Sequence, residues 1–215
     1  MNRMNRLLNT LERKMGRFYI RGLMQYIVFG MLGVYLLEWL PTGNVSAYDL
    51  LVFDRALVLK GQIWRLFTFI FLPPDSNIIF IIFALMFYYF IGTALENQWG
   101  SRRFNLYYLI GIICCDIGGF ILGFNNNTYL NMSLFLAFAF LYPDMQINLF
   151  FFLPVKVKYI AWFDAALLLY YLIIYSWPVK ACILFSMVPL VIFFGDTLAF
   201  KARQLIRKIR FRLGR

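Results

Sequence analysis

The side chains able to do chemistry in this sequence form a short list, because none of its 215 residues is histidine and only 14% are charged. Three cysteines, Cys114, Cys115 and Cys182, lack metal-ligand spacing, and without imidazole a mixed zinc site is excluded. The vicinal pair reads as two small packing residues inside an apolar stretch. A serine or threonine hydroxyl attacks poorly until a base removes its proton. Thr128 and Ser133 are therefore idle unless Lys180, a lysine near the outer end of the late apolar stretches, supplies that base. Acids inside apolar stretches mark either a buried partner or a path. Asp116 lies near the middle of one such stretch, Asp164 about a turn and a half into another, and Asp196 near the end of the last. Asp164 and Asp196 are expected to pair with Lys156, Lys158 or Lys201. An ion or proton path would need acids continuing to the other face, where only Glu38 and Asp116 are available. The remaining polar concentration, Asn125, Asn126, Asn127 and Thr128, is a candidate cavity lining together with Asp116. No cofactor or metal is expected.

The elements that must position these groups are membrane helices. The chain is 62% hydrophobic and 20% aromatic, with a mean hydropathy of +0.71, whereas a soluble domain carries about a quarter charged residues. A spanning helix needs about 20 mostly apolar residues. Six segments meet or approach that, at about Gly22–Leu40, Ile78–Trp99, Phe104–Phe124, Tyr129–Tyr142, Tyr159–Tyr175 and Ala181–Phe200, separated by breakers such as Pro41–Gly43, Pro73–Pro74 and Pro178. With both termini inside, all 21 lysines and arginines except Arg55, Lys60, Arg65 and Lys180 fall on the inner side. The positive-inside rule therefore predicts a multi-pass protein of the cell membrane with both ends cytoplasmic. The formal net charge of +11 reflects that topology rather than nucleic-acid binding. Residues 1–21 form an amphipathic basic segment, with Leu7, Leu8, Leu11, Met15 and Phe18 at helical spacing, and no cleavage site follows it. Residues 22–200 form the membrane domain, and 201–215 a basic tail. Both tails suit anionic lipid headgroups.

Three local features refine this layout. The first outer loop, Pro41–Asn77, holds apolar runs at Leu50–Phe53, Ala56–Leu59 and Leu66–Leu72. Asp49, Asp54, Arg55, Lys60 and Arg65 break those runs, which predicts a half-immersed loop. The fourth segment, at about 14 residues, reaches only ~21 Å of a ~30 Å hydrocarbon core. The preceding residues Phe124–Thr128 must therefore dip into the membrane and line a recessed polar cavity open to the outside. In the third segment Gly111, Cys115, Gly119 and Gly123 recur every four residues, a small-residue stripe for close helix packing. Pro189 is expected to kink or loosen the sixth.

Two motifs carry a family resemblance. One is Gly61-Gln62-Ile63-Trp64-Arg65-Leu66-Phe67-Thr68 followed by Phe71-Leu72, in the first loop. The other is Gly92-Thr93-Ala94-Leu95-Glu96, then Trp99-Gly100-Ser101-Arg102-Arg103-Phe104, running on to Tyr108-Leu109. With the six-span layout and the short fourth span, they resemble the rhomboid superfamily over about Gly61–Tyr142, and by topology elsewhere. The stretch from Phe138 to Lys158 looks like a bacterial, derlin-like branch. The resemblance implies an all-α membrane protein, a six-transmembrane-helix rhomboid-like bundle. It gives Trp64 and Arg65 the task of holding the first loop. Gly92, Glu96, Gly100 and Phe104 then form the connection between the second and third spans, with Glu96 accepting from backbone amides or pairing with Arg102 or Arg103. Active rhomboids use a serine in Gly-x-Ser-Gly at the start of the fourth span, a histidine on the sixth, and a histidine and asparagine on the second. Here Asn125–Ser133 contains no such motif, no histidine exists, and the second-span counterparts are Phe80 and Ala84. The resemblance thus implies a pseudoprotease that binds transmembrane client proteins. The alternatives are an intramembrane serine protease with a non-standard dyad, and a transporter dependent on Asp116.

Overall fold

The computed structural model describes residues 3–16, 18–38, 46–74, 77–149 and 153–213, with side chains for all of these except 3–7, 148, 149, 153 and 196–213. Arg17, the breaker Pro41–Gly43 and the Asp196 side chain lie outside the described residues. Ten α-helices dominate the described chain: α1 (Arg3–Met15), α2 (Leu23–Glu38), α3 (Ala47–Leu51), α4 (Arg55–Leu59), α5 (Arg65–Thr68), α6 (Ile78–Trp99), α7 (Ser101–Leu122), α8 (Thr128–Leu141), α9 (Val157–Ile174) and α10 (Trp177–Leu213). Two tiny antiparallel ladders accompany them. β1 (Phe53–Asp54) pairs with β2 (Phe124–Asn125), and β3 (Gln146–Leu149) pairs with β4 (Leu153–Lys156).

Each of the six expected apolar segments is helical, but they differ in length. Among the described residues four helices are long and apolar enough to cross a membrane: α6, α7, α9 and the Trp177–Gly195 part of α10. The other two, α2 with 16 residues and α8 with 14, are shorter apolar helices. The sixth segment departs from expectation in a second way. It continues as one helix through Pro189 and into the basic tail, reaching Leu213. Pro178 does not break it but sits in its first turn, where a missing N–H has no helical partner to lose.

Helix α7 is the hub. Over half of its spanning window is buried, 56% against 17% for α9, and its most extensive neighbour is α10. The turn from α6 into α7 is a single residue, Gly100, at φ +82, a conformation that glycine adopts without a Cβ clash. Next to that turn, Glu96 Oε1 accepts from Gly22 N at 2.8 Å, tying the start of α2 to the end of α6. Gly92 lies where α2 crosses α6, and any Cβ there would run into Met24. Phe104 is fully buried at the start of α7.

The long first loop is two-sided. Phe53, Val58, Phe69, Ile70 and Leu72 are buried in the core, whereas Leu50, Leu59, Ile63, Trp64 and Phe67 are exposed. Two of its short helices, α3 and α4, are capped by the side chains that precede them. Ser46 Oγ accepts from Tyr48 N at 3.1 Å, and Asp54 Oδ1 accepts from Leu57 N at 3.0 Å.

At the end bearing both termini, α1 packs on α7. Leu8 is buried, and Arg103 of α7 donates to Glu12 at 2.7 Å and to Asn9 Oδ1 at 2.8 Å. Arg103 therefore pairs with Glu12 rather than Glu96. Phe18, expected on the apolar face of this segment, lies beyond α1 and is 90% exposed. Between α8 and α9, Lys158 Nζ meets Asp144 Oδ1 at 2.8 Å and holds that carboxyl below the usual carboxylate range.

Candidate functional site

The site is built where the first loop meets the start of α8. Arg65, only 3% exposed, extends its guanidinium beneath α3. Its Nη1 donates to the carbonyls of Asp49 and Val52, each at 2.7 Å, and its Nε to Gln62 Oε1 at 2.7 Å. Trp64 Nε1 donates to Leu50 O at 3.3 Å, and Thr68 Oγ1 to Leu51 O at 3.0 Å. Three side chains of one helical turn thus satisfy four consecutive carbonyls at the end of α3, groups that no helix of its length can satisfy internally.

From that platform β1 pairs with β2, Phe53 opposite Asn125. The asparagine run then divides into different tasks. Asn125, 3% exposed, donates from Nδ2 to Cys115 O at 2.7 Å and accepts from Asn126 N at 2.9 Å and Cys182 Sγ at 3.4 Å. Asn127 Nδ2 donates to Ile70 O at 3.1 Å and Leu72 O at 2.8 Å. Asn126 Oδ1 accepts from Thr128 N at 3.0 Å, which shapes the entry to α8. Two backbone amides of this loop, those of Asn126 and Thr128, are thus paired by its own side chains, and the side-chain amides of Asn125 and Asn127 bond carbonyls of neighbouring segments.

Beside this loop lies a cavity of about 430 Å³. Its polar lining is Asn126, Asn127, Thr128, Asn131, Asp164 and the tyrosines Tyr48 and Tyr88. Its apolar walls come from Leu72–Pro74, Phe83, Ala84 and Phe87 of α6, and Met132 and Phe135 of α8. Two of the expected lining residues do not belong to it. Asn125 is spent on Cys115 and Cys182, and Asp116 does not line this cavity. Conversely Asp164, expected in an ion pair with Lys156 or Lys158, takes part in neither ion pair found among the described residues. It lines the cavity instead, as does Asn131 of α8.

The small-residue stripe also resolves into separate roles. Gly111 is covered by Leu130 of α8, and Gly119 by Phe53, whose ring edge would lie 2.7 Å from a Cβ there. Cys115 Sγ contacts Ser186 Oγ of α10 at 3.3 Å. Gly123 is not a packing residue: it ends α7 at φ +105, and a Cβ there would meet open space. The closest backbone approach falls on Gly118, outside the stripe, where a Cβ would stand 2.9 Å from Cys182 Cα.

A nucleophile–base pair is not assembled by these residues. Ser133 is fully buried, and its Oγ lies 2.7 Å from Tyr107 Oη. Lys180 Nζ donates to Ile173 O at 3.3 Å and is not among the cavity residues. Thr128 is exposed at the cavity mouth, and the one carboxylate in the lining, Asp164, makes no hydrogen bond to its hydroxyl. Ser133→Ala is expected to cost only about 1 kcal/mol, because Tyr107 Oη keeps its 3.0 Å bond to Ser133 O. Tyr107→Phe should cost more, and a thermal-shift comparison of the two in detergent checks the order.

A larger recess of about 800 Å³ lies at the opposite end, walled by Arg13, Arg21, Arg102, Arg103 and Glu12. Arg102 covers the Tyr19 ring there, 5.3 Å from its centroid. It is a strongly basic surface without a nucleophile–base pair.

Residues 21–200 match the family described as eukaryotic integral membrane protein (DUF1751). The chain belongs to this family. This DUF1751 protein is also similar to the rhomboid protease GluP of Bacillus subtilis (strain 168), 32% identical over 99 residues. That stretch is 45% of the present chain and 19% of the Bacillus protein, so the chain corresponds to less than a fifth of that relative's length. No solved structure matches. The DUF1751 chain is therefore a rhomboid-like, multi-pass integral membrane protein, as its two sequence motifs imply.

Proposed function

We propose that this protein is a catalytically inactive rhomboid-like scaffold that binds helices of other membrane proteins, serving client recognition, trafficking or quality control. The observation that carries this reading is the cavity at the start of α8: it has the walls of a binding site, and among the described residues no hydrogen bond couples the Thr128 hydroxyl to Asp164 or Ser133 Oγ to a base. Helices α6 and α9 each pack on α8 but only marginally on one another, so its flank opens sideways toward lipid. A partly polar client helix entering there exchanges hydrocarbon for hydrogen-bonding partners. In this reading α2 and α8 complete six crossings of the cell membrane. Both termini are cytoplasmic, and α1 and the end of α10 lie against anionic headgroups.

A photo-crosslinker at Thr128 is expected to capture transmembrane segments of other proteins in native membranes, whereas one at Phe194, packed against Trp99 and Phe140, captures none. Capture of lipid alone at Thr128 would count against client binding. A fluorophosphonate probe is expected to leave the chain unlabelled; labelling lost in Thr128→Ala or Ser133→Ala would establish a protease instead.

A further inference from the structure

Two side chains on the cavity wall have a polar atom with nothing to bond. Asn131 and Asp164 are 7% and 8% exposed, and both line the cavity. Asn131 Oδ1 and Asp164 Oδ2 are enclosed without a hydrogen-bond partner. Both are acceptors, and a carboxylate held in hydrocarbon is among the most costly groups to leave alone. Natural interiors pair such groups, so the missing element is a donor.

Tyr88, on the same cavity, hydrogen-bonds the Asn131 side chain, but no described residue bonds Asn131 Oδ1 or Asp164 Oδ2. The cavity lining contains no lysine or arginine. Lys158, two turns below Asp164 on α9, is bonded to Asp144 at 2.8 Å, and Lys180 is bonded to Ile173 O. The groups that face Asp164 across the cavity are neutral asparagines, tyrosines, Thr128 and apolar side chains. The flank between α6 and α9 is lipid-facing: Ile82 on α6 is 51% exposed, and Phe163 on α9 is 66% exposed. A partner reaching the two acceptors by that route travels through hydrocarbon, as a helix does.

Resting on the client-binding reading, we infer that the cavity selects transmembrane segments carrying a lysine or arginine within the apolar stretch, with Asp164 as the counter-charge and Asn131 as the second acceptor. An ammonium or guanidinium is donor-only and multivalent, so one side chain satisfies both oxygens. A charge in the middle of a span is costly in lipid, and transfer to Asp164 relieves that cost on both sides. An all-apolar span leaves both acceptors unpaired, and an acidic span adds repulsion.

The test uses the full chain in phosphatidylcholine vesicles with a photo-crosslinker at Met132, presented with leucine-rich single-span peptides of about 20 residues. The peptides carry a central lysine, leucine or glutamate. The lysine peptide is expected to crosslink about tenfold more than the leucine peptide, and the glutamate peptide least. Asp164→Asn, nearly isosteric, should bring lysine and leucine to parity, and Asp164→Lys should reverse the preference toward glutamate, an inversion that a purely structural role for Asp164 would not produce. Burial of the Cys115 and Cys182 thiols verifies that each variant is folded, and Asn131→Asp, which adds a second carboxylate, should raise the lysine preference further. Equal capture of lysine and leucine peptides by the unmodified chain would overturn the charge selection while leaving client binding intact. So would a preference unchanged in Asp164→Asn. Capture of no peptide would overturn both.

Discussion

Arg65→Met is expected to destabilise the protein by about 3–5 kcal/mol, because it removes two short charge-assisted bonds to part-buried carbonyls. Arg65 Nη1 bonds Asp49 O and Val52 O at 2.7 Å each, and these are the outer pair of the four carbonyls ending α3. The positive guanidinium also sits where the partial negative charge of that helix end collects. Methionine matches the length of the stem and offers no donor, so the loss is of bonds more than of packing. Arg65→Lys keeps the charge but not the fork, and one ammonium cannot reproduce the planar reach to two carbonyls and Gln62. Its cost should be about half that of the methionine variant, and Trp64→Phe, losing one 3.3 Å bond, should cost about 1 kcal/mol. The readout is intrinsic to the chain: Cys115 and Cys182 are free and buried, so a thiol-reactive dye reports unfolding on heating. The effect should also reach the cavity, since α3 leads directly into β1, and β1 holds the cavity loop through Phe53 and Asn125.

Hydropathy and turn residues make the helical segments and the two-sided first loop legible, because each depends on local composition. The Trp64–Arg65 platform is legible as a motif, although its meaning as a cap on four carbonyls needs the fold. Helix rotation is what the sequence hides. A helix of a membrane bundle is apolar toward lipid and toward protein alike, so α9 shows no face that would aim Asp164, and a neighbouring lysine in the sequence is a misleading guide to its partner. The stripe at Gly111, Cys115 and Gly119 follows the four-residue period of α7, and Cys115 does touch α10 at Ser186, but the closest backbone approach to α10 falls on Gly118, outside the stripe. Spacing identifies a small-residue face without saying which neighbour crosses it or where. The length of α10 was hidden for a different reason. Hydrocarbon ends at a charge boundary, whereas helical hydrogen bonding continues past it wherever good helix formers follow.

Gly118→Val is expected to produce the second large loss, about 3 kcal/mol, at the upper end of overpacking costs. The contact to be violated is with backbone: a Cβ at Gly118 stands 2.9 Å from Cys182 Cα and 3.2 Å from its Sγ. A side-chain tip can rotate away, but Cα cannot move without moving α10, and α7 with α10 forms the most extensive interface of the bundle. Gly118→Ala should already cost about 1–2 kcal/mol by the same argument. Two glycines serve as comparisons. Gly111→Ala meets the end of the Leu130 side chain, which can turn, and should cost no more than about 1 kcal/mol. Gly33→Ala, on α2 with no atom within 4 Å of its Cβ, should gain up to about 1 kcal/mol from helix propensity alone. The ranking Gly118, Gly111, Gly33 therefore tests backbone approach against side-chain contact and open space in three like substitutions to alanine. Separating α7 from α10 also pulls on Asn125, which bonds Cys115 O on one helix and Cys182 Sγ on the other. The valine variant should accordingly show the Cys115 and Cys182 thiols reacting well below the unfolding temperature of the parent, together with loss of peptide capture at Met132. If both thiols stay protected while stability falls, the strain is absorbed within α7, and the two helices are not held at the separation that Gly118 permits.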